Sequence, residues 1–146
     1  MKVVFCDVDN VLNSEYHTKK NGDCREDIEE LKVRNLKKIV DAAGAEVVIV
    51  SHAHAFNDER FAKQRIEQIR KYGVNPIADL KSGGFLGPKD DAVKRWLNEH
   101  KEVEKFVIFD DGYDNYYDLV DHLILVDYHH GLTYKHTRKA IEMLDD

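Results

Sequence analysis

Lys2-Val-Val-Phe-Cys6 runs directly into Asp7-Val-Asp9. The first stretch is apolar without alternation, which suits a strand covered on both faces of a parallel sheet. The acidic residues that follow mark where the strand's carboxyl end meets solvent. Asp7 is therefore expected at a strand tip, with Asp9 close behind it.

Working outward, three more runs repeat this plan. Glu46 to Val50 is β-branched and ends at Ser51-His52, Lys105 to Phe109 ends at Asp110-Asp111-Gly112, and His122 to Val126 ends at Asp127. Helical spacing lies between them. Ile28, Leu31, Leu36, Ile39, Val40 and Ala43 recur on one face before Gly44, and Phe61, Ala62, Arg65, Ile66, Ile69 and Tyr72 recur before Gly73. Pro88 suits the first turn of a helix burying Val93, Trp96 and Leu97, and a closing helix from Thr133 carries Tyr134, Thr137, Ile141 and Leu144 on one side. Val74 to Ala78 predicts a short edge strand weakened by Pro76, and Lys81 to Lys89 a flexible loop. Strands alternating with helices predict an α/β fold, a three-layer, doubly wound parallel sheet of Rossmann-like type, with ligands bound beyond the carboxyl ends of the strands.

The bulk properties fit that plan. A chain of 146 residues, 42% of them hydrophobic, has room for one core, and no repeat or linker divides it, so residues 1–146 are expected to form a single domain. The apolar run at the N-terminus is too short for a signal peptide or a bilayer span, and Cys6 and Cys24 lack the spacing of a zinc or redox pair. A cytoplasmic protein with free thiols and no membrane association is expected. A net charge of −6 argues against broad electrostatic capture of nucleic acid.

The strand tips carry the chemistry. Asp7 and Asp9 can converge on one reacting atom, one attacking and the other handling a proton. A carboxylate attacking a phosphorus centre needs cationic help against the phosphate's own charge. Asp110 and Asp111 offer hard oxygen ligands of the kind Mg2+ prefers, Ser51 a donor for a phosphate oxygen, and Lys89 a positive charge at a helix N-terminus.

Phe5-Cys-Asp7-Val-Asp9-Asn-Val-Leu12, Val50-Ser51, Lys89 and Phe109-Asp110-Asp111 together resemble the four motifs of the haloacid dehalogenase (HAD) superfamily. Val11-Leu12-Asn13-Ser14, the Trp96-Leu97 helix and Gly131-Leu132-Thr133 are similar to the small HAD domains of RNA-repair proteins of the Swiss Army Knife type. The resemblance implies that Asp7 is the nucleophile and that Asp9 is the general acid and base, with its main-chain carbonyl on the metal. It further implies that Asp110 is the third protein ligand of Mg2+, and that Ser51 and Lys89 hold the transferring phosphoryl group. Two positions depart from the family pattern: Asn10 stands where Gly is common, and His52-Ala53-His54 where Ser-Trp-Arg is often found. The segments between motifs are too short for a full cap domain. An open site admits a nucleotide, a polynucleotide end or another bulky phosphomonoester.

Plainer readings stand beside these. Ser51 could cap a helix, Lys81 or Lys94 could replace Lys89, and Asp111 could be a turn residue before Gly112. His52 and His54 could bind substrate or lie solvated, and they lack the further ligands a zinc site needs. Tyr113, Tyr116 and Tyr117 could stack on bases, although packing is the commoner use of such residues. The expected activity is a Mg2+-dependent phosphatase working through an aspartyl-phosphate. The alternatives are a phosphotransferase, a metal-dependent nuclease and a non-catalytic phosphate-binding module.

Overall fold

The computed structural model describes residues 1–14, 28–52, 59–83, 86–112 and 115–146. Among them are five parallel strands and four α-helices. In chain order these are β1 (Lys2–Cys6), α1 (Glu30–Ala43), β2 (Ala45–His52), α2 (Glu59–Lys71), β3 (Ala78–Ser82), α3 (Lys89–Glu99), β4 (Lys105–Asp110), β5 (Leu123–Leu125) and α4 (Tyr134–Leu144). The strand order is β3-β2-β1-β4-β5, so the winding reverses between β1 and β4. In such sheets the crevice at the reversal, beyond the carboxyl ends, is where ligands bind.

Successive side chains of a strand face opposite sides of its sheet, and the core divides accordingly. Val4 and Cys6 of β1 pack with Leu36, Ile39, Ile69 and Leu144 on one face. Val3 and Phe5 pack with Val93 and Trp96 on the other, with Phe5 set edge-on to the Trp96 ring at 5.6 Å between centroids. Residues 3–6 of β1 are each 0% exposed, as the unbroken apolar run predicts. This is the expected doubly wound α/β sheet, and no described helix is long and apolar enough to cross a membrane.

Several boundaries differ from expectation. The edge strand is Ala78–Ser82 rather than Val74 to Ala78, and it takes in the start of the segment expected to be a loop. Pro76 explains the shift: it has no N–H for a ladder, so pairing with β2 begins only after it, where the Ile77 N–H donates to the Val47 carbonyl at 2.8 Å and Ala78 comes into register with Val48. The fourth predicted strand shortens to Leu123–Leu125 because a 3₁₀ turn over Val120–His122 takes its first residue. Leu31 and Tyr134, predicted on buried helix faces, are 71% and 58% exposed, and Val33 and Ala140 fill the buried faces instead.

The turn after β1 positions the site. The Leu12 N–H donates to the Val8 carbonyl at 2.9 Å, the Asn10 N–H donates to Asn13 Oδ1 at 2.7 Å, and Asn10 has φ +66°. Asn tolerates this left-handed conformation better than most residues, which accounts for its use where Gly is common. The segment after β5 straps the turn from outside: the Leu132 N–H donates to the Val11 carbonyl at 2.8 Å, and a Cβ on Gly131, whose φ is +68°, would lie 2.9 Å from the carbonyl oxygens of both Val11 and Asn13. Gly131→Ala is therefore expected to destabilise the protein by about 2 kcal/mol or more, from the left-handed backbone and the clash together. A lowered urea midpoint with unchanged slope would register it.

Candidate active site

The tips of β1 and β4 lie side by side, in register from Lys2 with Lys105 to Cys6 with Phe109, and the Asp7 N–H continues the ladder to the Phe109 carbonyl at 3.0 Å. Carboxylate oxygens of Asp7, Asp110 and Asp111 all lie within 4.8 Å of one another. Asp7 and Asp110 are buried, at 6% and 0% exposure. Lys89, the first residue of α3 and 1% exposed, places its ammonium between them, 3.2 Å from Asp7 Oδ1 and 2.8 Å from Asp110 Oδ2. The alternative lysines sit elsewhere: Lys94 pairs with Asp118, and Lys81 with Asp79 at 2.9 Å.

Neighbouring groups orient the cluster. Asp110 Oδ1 accepts from the Gly112 N–H at 2.8 Å and from Asn115 Nδ2 at 3.4 Å. Asn10 Nδ2 donates to Asp111 Oδ2 at 3.0 Å, tying the two strand tips together. Asp7 Oδ1 also accepts from the Val8 N–H at 2.8 Å. Tyr116 is 1% exposed and packs in the α3-side core, which agrees with packing rather than base stacking, whereas Tyr117 is 72% exposed. Burial, and after it the charge of Asp110, push the Tyr116 phenol far above its ordinary range, so it stays neutral beside the cluster.

Burial is the main force on the Asp7 carboxyl, working against Lys89, and it pushes the acid up to about 8. Burial also opposes the charge on Lys89, but Asp7 and Asp110 outweigh it and hold the lysine above its usual range. Asp111 is raised as well, again by burial first. Ionised together, three carboxylates against one ammonium would leave an excess of negative charge in a poorly solvated site, and the raised Asp7 and Asp111 reflect it. A divalent cation with a preference for oxygen ligands answers that excess, and the donor set fits one.

Unfolded Asp7 loses its proton near the ordinary value of 3.8, whereas the folded protein keeps it up to about 8. Between those values the native state binds more protons than the unfolded one. Metal-free stability should therefore fall as pH rises through that window, at up to about 1.4 kcal/mol per pH unit. Mg2+ should oppose the decline, raising the melting temperature more at pH 8 than at pH 5.

The remaining predicted residues are placed as follows. Ser51 is buried at the end of β2, where its hydroxyl donates to Asp79 Oδ1 at 3.4 Å and accepts from Lys81 Nζ at 3.3 Å. His52 is exposed, with its ring against Gly83. His54 and Tyr113 lie outside the described residues, as does Cys24, while Cys6 is a buried free thiol. Asp9 is not one of the three clustered carboxylates; its Oδ1 accepts from Arg65 Nη2 at 2.8 Å. Arg65, Asp79 and Asn115 are site neighbours that the sequence reading did not single out. For Arg65 a signal existed: a charged residue at a position where the α2 periodicity calls for an apolar one. Asp79 and Lys81 join Ser51 through strand pairing, which brings Ser51 opposite Lys81. Beside Ser51 lies a small cleft walled by Val8, Arg65, Asp79 and Lys81.

A Rossmann-like sheet whose reversal point holds a strand-tip Asp-x-Asp, a helix-borne lysine and a second strand-tip aspartate pair defines a HAD-type α/β hydrolase domain. Residues 3–137 match the family described as the HAD domain in Swiss Army Knife RNA repair proteins, and the chain belongs to that family. A comparison with curated proteins finds no match. Membership points to phosphatase-type hydrolase activity, and the Asp7, Asp110 and Asp111 cluster fits metal binding.

Proposed function

We propose that this protein is a Mg2+-dependent phosphatase that forms an aspartyl-phosphate on Asp7 and acts on phosphorylated nucleotide or polynucleotide ends. The observation that carries the reading is the buried ammonium of Lys89 held between Asp7 and Asp110 at the reversal point of the sheet. A nuclease built on clustered carboxylates needs no such lysine against a would-be nucleophile. The family's association with RNA repair, and segments between motifs too short for a full cap, support a large, exposed phosphate ester as substrate.

The ion, when bound, offsets the charge of the phosphoryl group against the carboxylates. Asp7 attacks phosphorus as the bond to the leaving oxygen breaks, and Asp9 gives that oxygen its proton. Lys89 orients Asp7 and neutralises charge on the transferring group. Water then attacks the acyl-phosphate, giving its proton to Asp9 and releasing phosphate and Asp7.

The test is phosphate release from 4-nitrophenyl phosphate and from oligonucleotides with 5′- or 3′-phosphate ends, with and without Mg2+. Magnesium-dependent release from the ends, with the strand left intact, is expected. Strand cleavage without free phosphate would identify a nuclease, transfer to an added alcohol in place of water a phosphotransferase, and binding without turnover a phosphate-binding module.

A further inference from the structure

The motif's second aspartate is held by a residue that no motif contains. Arg65 sits on the inner side of α2, with its side chain 9% exposed, and its guanidinium reaches Asp9 Oδ1 at 2.8 Å across 56 positions of chain. The burial of the two partners is unequal. The Asp9 side chain is 45% exposed and water alone would satisfy it, whereas a guanidinium withdrawn from water costs several kcal/mol unless it is paired. The arginine thus bears the desolvation, and the carboxyl gains a fixed direction. A half-exposed aspartate would otherwise sample several rotamers, and the planar guanidinium fork restricts orientation as the ammonium of a lysine does not.

We propose that Arg65 is a positioning residue for proton transfer by Asp9, one that matters for substrates whose leaving group is a sugar alkoxide. This rests on the assignment of Asp9 as general acid and base. With Oδ1 held by the guanidinium, Oδ2 is the atom that exchanges the proton. In the first step the Oδ2–H proton passes to the leaving oxygen as its bond to phosphorus breaks and the bond from Asp7 forms. In the second, a water proton returns to Oδ2 as the water oxygen bonds to phosphorus and the Asp7 oxygen departs. An alkoxide leaves poorly without that proton, whereas 4-nitrophenolate leaves readily without it. Misdirecting Asp9 should therefore slow the first step for nucleotide ends and spare it for the aryl ester, while the second step, common to both, slows alike.

The test compares Arg65→Ala and Arg65→Lys with wild type on an oligonucleotide bearing a terminal phosphate and on 4-nitrophenyl phosphate, with Asp9→Asn run in parallel, and reads the first step as release of the leaving alcohol or phenolate in a single turnover with enzyme in excess. Arg65→Ala is expected to lower the first-step rate about 10- to 100-fold on the oligonucleotide, with half-saturation within about 3-fold, and to change that rate on the aryl ester by less than about 3-fold. Arg65→Lys should fall between the two, and guanidinium at millimolar concentration should restore part of the alanine variant's rate. An equal loss of the first-step rate on both esters, or weaker half-saturation with an unchanged first-step rate, would overturn the proposal, because Arg65 would then serve the fold or grip the phosphate directly. If Asp9→Asn discriminates between the esters and Arg65→Ala does not, only this proposal fails. If Asp9→Asn does not discriminate either, the assignment of Asp9 fails and the proposal falls with it. Should the alanine variant not fold, the same comparison made with Arg65→Lys and Arg65→Gln decides.

Discussion

Asp7→Asn should reduce phosphate release by at least about 10⁴-fold on every ester while leaving the fold intact. An amide of nearly the same shape cannot form the acyl-phosphate, and loss of a nucleophile removes a covalent step rather than one contact among many. The variant should also lose its thermal response to Mg2+, since one of three clustered carboxylates becomes a neutral amide. Removing the buried charge should leave its metal-free stability at pH 8 no lower than that of wild type. Beryllofluoride should form an adduct with the wild-type protein and not with the variant, as mass spectrometry under native conditions would show. A folded Asp7→Asn protein with wild-type rates would refute the covalent mechanism.

Lys89→Met should damage both activity and stability. The substitution keeps most of the buried volume but leaves Asp7 and Asp110 facing each other without the ammonium that now lies 3.2 and 2.8 Å from them. Removing one partner of a buried ion pair typically costs about 3–5 kcal/mol, and loss of a charge aimed at the transferring group about 10²- to 10³-fold in kcat. The stability loss should be largest near pH 8 and smaller near pH 5, where the carboxyls can take up protons in place of the missing cation. Denaturant melts at the two pH values, with and without Mg2+, would measure it, and Mg2+ should recover part of the stability but not the rate.

Strand tips were the most legible part of this molecule. Lys2–Cys6 can hardly be anything but a central parallel strand, and its polar stop puts Asp7 at the crevice before any coordinates are known. Lys89 was legible because Pro88 marks a helix start, and the structure places Pro88 one residue before that helix. The edge strand was misplaced because Ala78-Asp-Leu-Lys-Ser82 carries no apolar pattern; pairing with β2, not its own composition, makes it a strand. Arg65 and Asp9 belong together only once α2 has been laid against the sheet, and no local spacing encodes a contact 56 residues apart. The same holds for Ser51, whose partners Asp79 and Lys81 arrive through parallel register.

The position of β1 between β2 and β4 bears on how the protein comes into being. Asn10 and Asp111, which tie the two strand tips, are 101 positions apart, so a ribosome must make most of the chain before the second half of the cluster exists. Closing so long a loop is slow and entropically costly, and here it also brings acidic groups together. Lys89, twenty-one residues before Asp110, is therefore already synthesised when that carboxylate is made, and its ammonium can offset the repulsion as β4 joins β1.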